Sequence, residues 1–406
     1  MTDHAIAVTG LGMVTPAGVG VAASWDRVRA GRPTAAADPV LHDNLVHISC
    51  RVPDFDPVAL LGGRVARRLD PFVQFALVAV REALADAGLD PGTWDGSRVG
   101  VVLGCGGYGA ATLEAQARVL LESSARKVSP QLLPMHLSNL AAGRVSIELG
   151  TTGPSLVVAT ACASGTTAIG VARDLLNLHR CDIVVAGGTE AMVTPLVIAA
   201  FAQMGALSTR QDDPAGASRP FDAARDGFVA GEGAAVLVME RAADARARGA
   251  RVRARVIGFG MSADAHHVTA PAPDGRGLEQ SLRAALSDAG AGPSDIGHVN
   301  AHGTSTQLND LVESEVIERV LGPDTLVTST KGVTGHMLGA AGAAEAALTV
   351  LSLEHGTVPP TANLTDLDPR IKLDVPTTAR PLAPALAVSQ SAAFGGQNAA
   401  LVLAPA

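Results

Sequence analysis

The stretch "VVATACASGT" (157–166) passes from β-branched residues into small ones and presents one thiol, Cys162, at the corner. Two readings stand side by side. A free cysteine among small residues serves as a core filler. At the start of a helix, free N–H groups and the helix dipole favour a thiolate and lower its pKa, which makes it a nucleophile for covalent catalysis. The pattern places a helix over 163–177, so the second reading carries an expectation of a depressed pKa. Cys50, Cys105 and Cys181 lack at least one of these features and read as structural. Two histidines stand on turns flanked by glycine and threonine, His302 in "NAHGTST" and His336 in "STKGVTGH". The pattern puts His336 at the start of the helix "MLGAAGAAEAALTVLSLEHG". Lys331 lies in a small, apolar stretch where an unpaired ammonium is costly, and Glu345 in the next helix is its nearest partner. His266 and His267, in "DAHHVTAP", suit a loop at a site mouth, whereas His42, His47, His179 and His355 read as surface residues. In "AAFGGQNAA" (392–400), Gly395 and Gly396 permit a backbone that aims an N–H at a ligand. The alternative there is a plain turn before the last strand.

The elements that must position these groups repeat. "REALADAG" (81–88) is echoed by "AALSDAG" (284–290), and each precedes a strand and a glycine turn, "VGVVLGCGG" (99–107) and "IGHVNAHGT" (296–304). "LVVATACASGTTAIG" (156–170) is echoed by "LVTSTKGVTGHMLGAAG" (326–342), and "GEGAAVLVME" (231–240) by "GGQNAALVLA" (395–404). Three matches in the same order predict an α/β layered fold of two similar halves, 1–252 and 253–406. Such halves bring the thiol, imidazole and ammonium corners to one end of the sheets, where α/β proteins bind ligands. Residues 108–135 stand outside the echo and read as an insertion that covers the site or lines a subunit interface. Residues 356–376, rich in proline, read as a connecting loop.

Composition narrows the class. The 406 residues are 47% hydrophobic and 17% charged, the make-up of a well-cored globular enzyme. A net charge of −8 argues against nucleic acid as the main partner. Four cysteines without CxxC spacing predict neither a zinc site nor a disulfide framework, and fit a reducing cytoplasm. The N-terminal residues show no secretory leader and no apolar run long enough to span a membrane is present, so neither export nor a membrane is expected.

"TACASG", "NAHGTST" followed by "ND", "STKGVTGHMLGAAGAAE" and "FGGQN" together resemble the signature of the elongating β-ketoacyl-acyl-carrier-protein synthases, condensing enzymes of the thiolase superfamily. The likeness runs from "VTGLGMVTP" through "SRPFDAARDGFVAGEGA" to the C-terminus. Initiating synthases and chalcone-type enzymes use Cys, His and Asn, so the second histidine sets this chain apart from them. Thiolases use a second cysteine, which "FGGQN" lacks. The resemblance implies a thiolase fold, an αβαβα sandwich, and decarboxylative condensation of a malonyl thioester with an acyl chain on Cys162. It implies an oxyanion hole from the backbone N–H groups of Cys162 and Phe394, and an enolate held by His302 and His336 with Lys331 and Glu345 in support. It further implies that Thr304 and Thr306 bind the phosphopantetheine arm of an acyl carrier protein and that Phe394 gates the acyl pocket. Arg64, Arg67, Arg68, Arg126 and Lys127 match docking regions for the acidic carrier. No cofactor and no metal is implied.

The chain departs from the family's fatty-acid members at "QSAAFGGQN", where Gln390, Ala392 and Ala393 replace Asn, Phe and Gly, and at Gly107, where many carry a bulky aliphatic residue. A glycine there is expected to enlarge the acyl pocket. Both departures lean towards the ketosynthase of a type II polyketide synthase, paired with a chain-length factor. The alternative is housekeeping fatty-acid elongation as a homodimer. A silent partner subunit is disfavoured because the Cys, His, Lys, His set is intact.

Overall fold

The computed structural model describes residues 5–406. The strands that matter here are β1 (Ile6–Thr15), β2 (Val99–Gly104), β3 (Ser155–Val158), β4 (Ile183–Glu190), β5 (Gly233–Arg241), β6 (Ala254–Ala263), β7 (Ile296–Asn300), β8 (Leu326–Thr328), β9 (Leu386–Ala393) and β10 (Gln397–Pro405). They lie in the order β8-β7-β9-β10-β6-β1-β5-β4-β2-β3, with Gly18–Val19 added against β1. Read from either edge, the order is the same: two parallel steps, then antiparallel pairing to the centre. The halves meet where Ile6–Val8 pair with Ala254–Val256.

The principal helices are α1 (Pro71–Ala87), α2 (Ala110–Glu122), α3 (Leu140–Leu149), α4 (Ser164–Asn177), α5 (Arg276–Ala289), α6 (Gln307–Leu321) and α7 (Ala341–His355). α1 begins where Asp70 caps the N–H of Phe72 ahead of Pro71 and stops at Gly88 in the left-handed conformation. Alternate strand residues face opposite layers. Val102, Val184, Leu237, Leu401 and Leu403 point inward with α4 and α7 into one central core. Val101, Val185 and Val238 pack outward beneath α1 and α3, and Val299, Val388 and Val402 beneath α5 and α6. The result is five layers, helix–sheet–helix–sheet–helix. Because both faces of every long strand are covered, the strands read as continuous apolar runs. α7 is buried almost all round, and its small residues, "AGAAEAALTVLS", let it sit between two sheets.

Cys162 lies at the corner before α4, as expected, within a 3₁₀ turn, Ala161–Ala163, and α4 starts one residue later than the pattern suggests, at Ser164. Ala161 has φ +45°, a left-handed strain for a residue with a side chain, and Ser164 braces the turn by donating to Ala161 O at 2.6 Å. Likewise α7 starts at Ala341, after a second 3₁₀ turn at Leu338–Ala340, so His336 stands free of the helix. Residues 356–376 form the irregular connection expected. No helix among the described residues is long and apolar enough to cross a membrane.

Candidate active site

The corner after β3 carries Cys162, the corner after β7 carries His302, and the segment after β8 carries Lys331 and His336. All converge. His336 Nε2 lies 3.2 Å from Cys162 Sγ. The two imidazoles stand edge to face, 5.3 Å between ring centres. Lys331 is fully buried, pairs with Glu345 and donates to His302 O at 2.5 Å. Its ammonium also faces His302 Nδ1 at 3.5 Å, which leaves the ring proton on Nε2.

Burial pushes both imidazole pKa values well below the ordinary histidine range, and the Lys331 charge pushes them further. Both rings are therefore neutral near pH 7, each with one N–H to give. Cys162 departs from expectation. Burial pushes its thiol up to about 12, opposed by the Lys331 charge and by a hydrogen bond from the Phe394 backbone N–H. Desolvation outweighs the helix-start effect at this turn. The resting thiol is protonated and lies within hydrogen-bond distance of the neutral His336 imidazole.

The cavity over these groups measures about 510 Å³ and is lined by Cys162, His302, His336, Thr304, Thr306 and Phe394, among others. Thr304 and Thr306 share a hydrogen bond of 2.9 Å between their hydroxyls. Phe394 leans on Phe201, ring centres 6.4 Å apart, and Phe228 meets the His336 ring edge-on. Gly395, at φ +84°, donates its N–H to Val268 O at 2.7 Å. That bond ties the glycine turn to the loop of His266 and His267, whose residues Thr269, Ala270 and Pro271 line the cavity. Arg64, Arg67, Arg68, Arg126 and Lys127 are exposed and lie outside the cavity lining.

Gly107 lines the cavity but does not enlarge it. A Cβ built there would lie 2.6 Å from Met192 Sδ, so the space left by the missing side chain is filled by methionine. Gln390 also sits elsewhere than the gate. It is buried within β9 and donates to Glu313 Oε1 at 2.7 Å. Glu313 in turn accepts the N–H groups of His302 and Gly303, both at 2.7 Å, and so fixes the His302 turn. Sequence reasoning missed Glu313, Met192 and Glu190. Only Glu313 left a trace, a carboxylate three residues after Asp310 and hence on the same face of α6.

Two family models match the chain, the β-ketoacyl synthase N-terminal domain over residues 3–245 and the β-ketoacyl synthase C-terminal domain over 253–365. A 3-oxoacyl-[acyl-carrier-protein] synthase 2 of Vibrio harveyi is 42% identical over 411 residues, covering 99% of each chain. Among solved structures, a β-ketoacyl synthase from Burkholderia phymatum superimposes with a TM-score of 0.93 at 34% identity, covering 99% of both chains. The ishigamide ketosynthase/chain length factor does so with a TM-score of 0.93 at 32% identity and the same coverage. The fold and the thiol–imidazole corner are those of a condensing acyltransferase with the thiolase architecture. The chain belongs to the β-ketoacyl synthase family and is a β-ketoacyl-acyl-carrier-protein condensing enzyme that works through a cysteine nucleophile.

Proposed function

We propose that this chain elongates fatty acyl groups on an acyl carrier protein, with Cys162 as the acyl-accepting nucleophile and a second copy of itself as partner. The observation that carries the assignment is His336 Nε2 at 3.2 Å from Cys162 Sγ, with His302 beside it in the same cavity. In the first half-reaction the sulfur attacks the acyl thioester carbon and gives up its proton, which passes through water to the departing carrier sulfur. The oxyanion is held by the N–H groups of Cys162 and Phe394. The carrier thiol then leaves with a proton, and the acyl group stays on sulfur. Acylation also frees His336 Nε2–H from the thiol. In the second half-reaction a malonyl thioester loses CO2, and its electron pair becomes an enolate whose oxygen accepts from His302 and His336. That carbanion attacks the acyl-Cys162 carbonyl. A C–C bond forms, the C–S bond breaks, and the departing sulfur takes a proton from water, the one proton that the condensation consumes.

Thr304 and Thr306 bind the pantetheine arm, Phe394 gates the acyl cavity, and Arg64, Arg67, Arg68, Arg126 and Lys127 receive the acidic carrier. The two halves, 1–252 and 253–406, supply the nucleophile and the His/Lys/His set. Elongation is favoured over the polyketide reading by 42% identity to a 3-oxoacyl-[acyl-carrier-protein] synthase 2 over nearly the whole chain, against 32% for the ketosynthase/chain length factor structure. The wall at Gly107 points the same way, since Met192 fills the room that a bulkier product would need. The heterodimer remains the second reading because Gln390, Ala392 and Ala393 depart from the fatty-acid pattern. A homodimer is supported by β3, an open sheet edge, and by Leu120, Leu121 and Ile147 exposed in the region 110–147. Purification from its source, with mass analysis of what accompanies it, separates the readings. A homologous second subunit in equal amount supports the polyketide synthase, and a dimer of this chain alone supports elongation.

A further inference from the structure

Glu190 closes β4 and is buried at the cavity floor. It makes no ion pair among the described residues. Its Oε2 instead accepts two backbone N–H groups from different halves, Gly106 at 2.9 Å and Gly339 at 3.1 Å, while Oε1 faces the Cys105 thiol at 3.7 Å. Gly106 adjoins the acyl wall at Gly107. Gly339 follows His336 by three residues. Their backbones touch so closely that a Cβ on Gly339 would collide with Gly106 N, and a Cβ on Gly106 would lie 2.9 Å from Ala161 O, just before the nucleophile.

From this geometry we infer that Glu190 is the positioning residue that pins the nucleophile turn, the acyl wall and the His336 segment to one another. The inference rests on the reading of Cys162 as nucleophile. A carboxylate here has a cost: its charge helps to hold both the Cys105 and the Cys162 thiols up. Other charged and titratable groups around the thiol are Lys331, which opposes that effect, and Glu345, His302 and His336; Asp70 stands near Cys105. Burial lifts Glu190 itself to about 7, so it is ionised on the alkaline side, where the thiol titrates. Position and charge can be separated by substitution. Glutamine can keep Oε1 on both glycine N–H groups and turn its amide towards Cys105, whereas alanine leaves two buried donors unpaired.

The test measures, in the whole enzyme, acyl transfer from an acyl-carrier protein to Cys162 and the pH profile of Cys162 alkylation by iodoacetamide. Peptide mapping on wild type and Cys162→Ala verifies the nucleophile independently of any change at Glu190. Glu190→Ala is expected to slow acyl transfer at least ~10-fold with its dimer and circular dichroism intact. Glu190→Gln is expected to stay within ~3-fold of wild type but to alkylate with its profile moved to lower pH by about half a unit or more. Equal losses in both variants, wild-type transfer in the alanine variant, or an unmoved profile in the glutamine variant overturns the inference. Cys162 labelled normally in such a case leaves the nucleophile standing and removes only the role given to Glu190.

Discussion

Replacing Gly107 with isoleucine tests where the acyl chain lies. The new Cβ would stand 2.6, 2.9 and 3.1 Å from Met192 Sδ, Cε and Cγ, well inside carbon contact distance, so the thioether must swing into the cavity. The displaced end of methionine and the added side chain together take the room of roughly two to three acyl methylenes. At about 0.8 kcal/mol per buried methylene, each lost position lowers kcat/KM by about fourfold. A chain long enough to reach the wall therefore loses roughly 15- to 60-fold, while an acetyl or butyryl starter loses little. Overpacking adds a stability cost of about 1–3 kcal/mol, seen as a lower melting temperature. The assay is intact-mass measurement of acyl transfer from short and long acyl-carrier proteins to Cys162. Met192→Ala should extend the accepted length, and the double variant should regain long-chain transfer. Equal loss for all lengths, or no recovery in the double variant, would refute the placement of the chain beside Met192.

Cys162→Ala should take up no acyl group, and labelling that persists at Cys105 or Cys181 in that variant would move the nucleophile. His302→Ala and His336→Ala should each lower malonyl decarboxylation by on the order of 100–1000-fold while some acyl transfer survives; ¹⁴CO2 release gives the answer. Glu345→Ala strands the buried Lys331 ammonium and should destabilise the fold by about 3–5 kcal/mol, read from urea midpoints, with Glu345→Gln milder. His298, buried with its pKa pushed down to about 3 by desolvation, stays neutral in the fold but charges near 6.5 when unfolded. The unfolded chain thus gains a proton as pH falls below about 6.5, and His298 should cost about 2 kcal/mol at pH 5 and nothing above pH 7. His298→Asn should flatten that acid limb, and an unchanged slope would place the acid sensitivity elsewhere.

The architecture was legible because repeats leave marks at equal spacing. "VGVVLGCGG" and "IGHVNAHGT" are β2 and β7, strands that occupy matching places from the two edges of the sheet. Cys162, His302, Lys331 and His336 were legible because each carries a side chain that small neighbours do not explain. The sign of the Cys162 shift was not, since it depends on how much water the turn excludes, and local pattern does not report that. Met192 was hidden for a related reason: a missing side chain at 107 says nothing about which residue fills the gap. Glu190 and Glu313 were hidden because their partners are backbone N–H groups, which every residue has.

The mirrored strand order has a consequence for how the protein can be taken apart. Cys162 and Lys331 follow matching strands, as do the Gly106 wall and His302, and Glu190 closes the strand that matches the one before Phe394. Each corner is thus filled twice with different chemistry. The site draws on both halves, so a fragment ending near residue 250 would hold the thiol without its imidazoles, and its complement the reverse. Neither would turn over alone. Co-expressed, the two would form a split enzyme whose activity reports directly on their reassembly.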